Sequence, residues 1–123
     1  MLNLVFCLRR QPEISLEEFQ RYWREHHGPL MRRNMAAFGA ARYEQWHAMD
    51  GEEAEALNKS RGGPAGFDGV AVVWWDDLAA FRAGTGTEDG RAAGREMYQD
   101  ELNFIDLENS PIFLTEARFE AVG

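Results

Sequence analysis

Two adjacent histidines, His26 and His27, are the residues of this sequence best suited to moving protons near neutral pH, because imidazole is the side chain whose ordinary pKa lies closest to it. Neighbouring positions on a helix point about 100° apart, so the two rings cannot grip one metal ion between them. With Phe19 set at zero, Leu16, Trp23 and His27 fall in one apolar stripe, His26 lies at its near edge, and Arg21, Arg24 and Glu25 fall outside it. An imidazole on an otherwise apolar face is placed for general acid–base catalysis, which contributes roughly 10² to 10⁴ in rate. Two structural explanations compete with that one: a satisfied core histidine, or an imidazolium favoured by the dipole near a helix C-terminus. The residues alone leave all three open. The same holds for the aromatic residues Trp23, Tyr43, Trp74 and Trp75, which line cores more often than pockets.

Other chemistries find less support. The three serines, Ser15, Ser60 and Ser110, lie in no G-x-S-x-G elbow. The only lysine, Lys59, sits in a polar stretch where desolvation to a nucleophilic amine is not expected. Gly84-Thr85-Gly86 lacks a following G-K-[ST] and reads as a flexible connector. Glu52, Glu53 and Glu55 read as a solvated face, so no metal site and no cofactor is expected. The single cysteine, Cys7, excludes an internal disulfide and reads as a small buried hydrophobe. Thirteen Lys and Arg against twenty-one Asp and Glu give a formal charge of -8, which on average repels nucleic acid and anionic membranes. With 45% hydrophobic residues over 123 positions, one domain spanning residues 1–123 is expected to fold. The short run Leu2 to Leu8 has its charges, Arg9 and Arg10, after it rather than before it, so a cytoplasmic location is expected.

The elements that would position His27 follow from local patterns. Leu2 to Leu8 is a nearly continuous apolar run, the pattern of a strand covered on both faces. Ser15 with Glu18 forms a capping box that starts a helix. Gly28-Pro29 is predicted to end it, with Pro29 opening a second turn through Met35. A strand is expected over residues 40–48, then a long loop over residues 49–66 with room for one helical turn. Val70 to Trp75 is the clearest strand, followed by Asp76-Asp77 as a cap for Leu78 to Phe81. Residues 87–102 read as a helix burying Met97, Tyr98 and Leu102, and residues 111–119 as the last strand. The order strand, helix, strand, strand, helix, strand is that of an α+β ferredoxin-like βαββαβ sandwich with an antiparallel sheet. Both faces of its central strands are apolar, and the simplest cover for the second face is another copy of the same sheet.

Three stretches resemble the EthD-like domains of the dimeric α+β barrel superfamily. The first is Leu8-Arg9-Arg10-Gln11-Pro12, followed by Ser15-Leu16-Glu17-Glu18-Phe19, then Tyr22-Trp23 and His27-Gly28-Pro29-Leu30. The second runs from Phe67-Asp68-Gly69-Val70-Ala71 to Trp74-Trp75-Asp76-Asp77, and the third from Asp100-Glu101-Leu102-Asn103-Phe104-Ile105-Asp106 to Glu116. The resemblance implies a homodimer whose sheets form an α/β barrel, with a small-molecule pocket between sheet and helices. It aligns His27 with the family's H-x-P histidine and Trp23 with the aromatic one turn earlier. Family members include an accessory protein of ether-fuel degradation and polyketide-tailoring enzymes. The expected function is therefore a small-molecule enzyme of oxidoreductase, lyase or isomerase type, acting without a cofactor on a hydrophobic metabolite. His27 would be its acid and base, and Trp23, Tyr43, His47 and Trp74 its substrate contacts. The alternative is a non-catalytic binding or accessory dimer.

Overall fold

Seven residues, apolar on both faces but for Asn3, form the central strand β1 (Leu2–Leu8). It pairs antiparallel with β3 (Gly69–Trp75) on one side and with β4 (Ile112–Glu116) on the other, and β2 (Arg42–His47) completes the sheet beside β3. The strand order β2-β3-β1-β4, every neighbour antiparallel, is the ferredoxin-like arrangement. The computed structural model describes residues 1–123. No helix in it is long and apolar enough to cross a membrane.

Ser15 caps the first helix, α1 (Leu16–Tyr22), by accepting from the Glu18 N–H at 3.1 Å. Gly28-Pro29 was expected to end this helix and does not. The chain widens into a π turn at Trp23–His27 and continues as α2 (Gly28–Phe38) without leaving helical angles. The reason is local. Proline removes one donor and crowds the carbonyl four residues back, and the wider turn absorbs both effects. Gly28 has no Cβ to clash with the following ring, so it stays helical at φ −58°. Gly39, at φ 67°, then closes α2 in the left-handed region.

The stretch expected as a loop, residues 49–66, holds the nine-residue helix α3 (Glu52–Ser60), none of whose residues is buried. It stands on the first-turn acids Glu52, Glu53 and Glu55, which face the positive end of its dipole, and on the Glu55–Lys59 pair at 2.7 Å. Asp77 caps α4 (Leu78–Gly86), accepting from the Ala80 N–H at 2.8 Å. The supposed connector Gly84-Thr85-Gly86 is the last turn of that helix. At Gly84 a Cβ would lie 2.5 Å from the Phe38 carbonyl carbon, so glycine there lets α4 touch α2. Thr87 caps α5 (Glu88–Glu101) through the Gly90 N–H. Tyr98 and Leu102 are exposed rather than buried, because α5 turns Gly90, Gly94, Met97 and Glu101 inward instead. The last strand stops at Glu116, short of the expected Phe119, which is exposed.

All the main helices pack on one face of the sheet. Leu4, Phe6 and Leu8 of β1, with Ala71, Val73 and Trp75 of β3, meet Phe19, Trp23, Met31 and Met97 there. Gly69 permits the closest of these contacts: a Cβ would stand 2.7 Å from Trp23 Cη2, and the indole lies against bare backbone. Gly69→Ala should therefore lower stability by about 1–3 kcal/mol, read as a shifted urea midpoint at unchanged slope. The opposite face carries Val5, Cys7, Val70, Val72, Trp74, Trp46 and Phe113, with Trp46 51% and Phe113 48% exposed. Cys7 is only half-buried, since it points to this open face rather than into the core.

Candidate active site

Between the sheet and the helices lies a cavity of about 330 Å³, fourteen of whose twenty lining residues are hydrophobic. Leu4, Phe6, Ala71, Val73 and Trp75 form its floor; Met31, Phe38 and Met97 its roof. Gly90 lets α5 close onto the backbone of α4, where a Cβ would lie 3.1 Å from the Gly84 carbonyl carbon, and Gly94 leaves the inward face of α5 bare. At Gly94 an added Cβ would meet nothing nearer than 4.0 Å, so this position leaves space open.

His27 lines this cavity and is otherwise packed in the interior, its side chain 7% exposed. Its Nδ1 lies 2.6 Å from Asp100 Oδ2, across from the π turn on α5. An ionised carboxylate can only accept, so Nδ1 carries the proton and Nε2 keeps its lone pair. Nε2 has no hydrogen-bond partner in the protein and is not sealed. Burial lowers the His27 pKa below its ordinary 6.5, and the bond and charge of Asp100, which act upward, do not cancel it. At rest the ring is a neutral base.

Asp100 is the hub of a small network. Its Oδ1 accepts from Tyr22 Oη–H at 2.5 Å and lies 3.2 Å from His26 Nε2, with Asn103 Nδ2 at 3.4 Å. Burial pushes this carboxyl up, but the bonds from Tyr22 and His27 and the two imidazoles outweigh it, so it sits below the ordinary carboxylate value. His26 and His27, which on an α-helix would diverge, both reach one carboxylate because they lie in the wide turn. His26 stays on the surface, 59% exposed. No group of three or more His, Cys, Asp or Glu has the geometry to hold a metal ion.

The remaining candidates separate. Trp23, fully buried, and Tyr43 both line the cavity; burial pushes the Tyr43 phenol up to about 12, and its oxygen accepts from Gln45 Nε2 at 2.9 Å. His47 shares their face of the sheet but stacks on the far side of the Trp23 ring, centroids 4.3 Å apart, and does not reach the cavity. Trp74 is on the other face by strand alternation, edge-on to Trp46 at 6.4 Å.

Asp100 and Glu101 are the residues that reading the sequence missed. Burial, and then the neighbouring Asp100 charge, raise the Glu101 pKa to about 7, and its side chain lines the cavity without a hydrogen bond. Taking Met97 as the buried anchor and stepping three and four residues puts these two acids inward. That step requires choosing Met97 over the equally apolar Tyr98 and Leu102 as the centre of the face, and only the fold makes that choice.

The EthD domain family profile matches residues 11–108. The chain belongs to the EthD domain family. In structure this EthD domain is similar to an EthD family protein of Bacillus halodurans C-125, with TM-score 0.62 and 20% identity over 95% of this chain and 98% of the other. An EthD-like protein of Ralstonia eutropha JMP134 gives TM-score 0.61 at 17% identity, covering 98% and 95%. A dimeric ferredoxin-like protein from Thermobifida fusca YX gives 0.54 at 14%, covering 94% and 90%. No curated protein matches the sequence. At these identities the likeness concerns the fold, and the chemistry of the site has to be argued from its own residues.

Proposed function

We propose that this EthD domain is a small-molecule enzyme that moves a proton on a hydrophobic metabolite held in the cavity, with His27 as general base and then acid. One observation carries the reading: Asp100 holds Nδ1 of His27 at 2.6 Å while the ring borders an apolar cavity. A fixed tautomer, a lowered pKa and a dry surrounding are what a base requires to act near neutral pH. Trp23 and Tyr43 supply aromatic walls suited to an aromatic or polyketide-like guest. Oxidation by oxygen, elimination, decarboxylation or isomerisation of such a guest can each use a group that moves a proton at this position.

The test needs no natural substrate. In D₂O, 2-tetralone carries exchangeable protons beside its carbonyl, and proton NMR follows their loss. The protein should accelerate exchange over buffer, and His27→Gln should remove roughly 10² to 10⁴ of that acceleration. Ligand-induced thermal stabilisation with no exchange would instead favour a binding protein.

The open sheet face supports a homodimer in which two copies stack through Val5, Trp74, Trp46 and Phe113, closing a barrel. Apolar surface of this extent is seldom left wet. Light scattering at micromolar protein should give twice the chain mass; a single chain mass would refute the pairing.

A further inference from the structure

We propose that Glu101 is the acid paired with the His27 base, and that the two together direct the cavity toward hydrophobic cyclic carbonyl compounds whose tautomerisation it catalyses. The inference rests on the proton-moving role of His27 given above and adds the second group, the substrate class and the reaction.

The placement comes first. Glu101 closes the inward face of α5, four residues after Met97 and eleven after Gly90, so it enters the same apolar space that His27 borders. Its neighbour Asp100 turns to the π segment and is fully used by His27, Tyr22, His26 and Asn103. Glu101 makes no hydrogen bond and no ion pair with the protein, yet its oxygens are not sealed. A carboxyl so placed is either a poorly solvated anion or a neutral acid with one proton to give. The titratable and charged groups around it favour the acid. Asp100 on the same helix is anionic; Tyr43 across the cavity on β2 is a neutral phenol; His27 on the π turn is a neutral imidazole. Arg91, the one cation among the lining residues, is nearly three turns away on α5 and bonds the Gly86 carbonyl. Glu101 therefore titrates at about 7.

An acid and a base on one apolar cavity match a defined step. His27 Nε2 takes a proton from the carbon beside a carbonyl, the C–H pair forms a carbon–carbon double bond, and the carbonyl π pair moves to oxygen. That oxygen receives the proton of Glu101. The enol, an imidazolium and a carboxylate result. Return of the oxygen-bound proton to Glu101, with delivery of the imidazolium proton to the same or a conjugated carbon, restores both groups. No oxidant, reductant or metal enters the balance. Each half avoids a free enolate in a medium that solvates anions poorly.

The experiment uses the full chain, 2-tetralone in D₂O, and a carbon-13 titration of the side-chain carboxyl groups. In the wild type one carboxyl signal, absent from Glu101→Gln, should titrate near pH 7. Exchange should follow a bell, rising as His27 loses its proton below pH 6.5 and falling as Glu101 ionises near 7. Glu101→Gln should lower kcat about 10²-fold with KM within about threefold, and should lose the alkaline limb; Glu101→Asp should restore part of that limb. An exchange rate in Glu101→Gln equal to wild type, or a Glu101 carboxyl titrating in the ordinary range, would overturn the proposal while leaving the His27 base standing. Absence of exchange in the wild type would overturn both.

Discussion

Asp100→Asn should slow proton exchange in the cavity by about 10²- to 10⁴-fold and should move the acidic limb of its pH profile downward. The carboxylate acts through His27, so it is a positioning residue. Its negative charge and its bond to Nδ1 both push the imidazole pKa up against burial. With asparagine both contributions weaken, and the pKa falls further below 6.5. The amide can also present its NH₂ to Nδ1, which would place the ring proton on Nε2 and turn the base toward the cavity already protonated. A variant that merely loosened the fold would lose rate at every pH without displacing the limb. Stability should fall by about 1–3 kcal/mol, since Tyr22, His26 and His27 lose a charged acceptor. The discriminating result is thus the limb: if Asp100→Asn loses rate with an unmoved profile, Asp100 does not set the state of His27.

The parts of the fold written in local pattern were legible from sequence. Strand β3 was plain in Val70 to Trp75, and the caps Ser15 and Asp77 mark helix starts where the structure places them. These signals depend on residues within a turn of one another. Gly28-Pro29 misled because its breaking tendency is real but was absorbed by a wide turn, whose carbonyl at Trp23 is further held by Gln45 Nε2 at 2.7 Å from β2. That contact joins residues twenty-two apart and leaves no local trace. The rotation of α5 was hidden for a similar reason. Tyr98 and Leu102 are more apolar than Gly94 and Glu101, so hydrophobicity alone turns the helix the wrong way. Its true inward face is defined by space for a cavity and by a partner for His27, seventy-three residues distant. The histidine at the centre of the site was found because it stood out on an apolar stripe. Its orienting carboxylate was not, because an aspartate on a charged helix looks ordinary until its neighbour across the interior is known.

Glu101→Gln is expected to stabilise the protein increasingly as pH rises from 5 to 8, whatever its effect on catalysis. The folded state holds the Glu101 proton up to about 7, against an ordinary value of 4.5, because burial and the Asp100 charge disfavour the anion. A carboxyl with a raised folded pKa contributes its full stability below the unfolded pKa and loses it as pH climbs through the folded one. At 1.36 kcal/mol per pH unit, the interval amounts to about 3 kcal/mol at most. Glutamine keeps the shape and has no charge to desolvate, so above pH 8 the variant should exceed the wild type by up to that amount, while at pH 4 the two should nearly coincide. Asp100 and His27 also titrate, but their linkage is common to both proteins and largely cancels in the difference. Urea midpoints at pH 5 and pH 8, taken at one protein concentration, provide the measurement. Parallel curves would mean that water or a rotated side chain already relieves the anion, and that the cavity is less dry than its lining implies. A widening gap would identify Glu101 as a group kept at a cost to stability, the pattern expected where an ionisable side chain serves chemistry rather than packing.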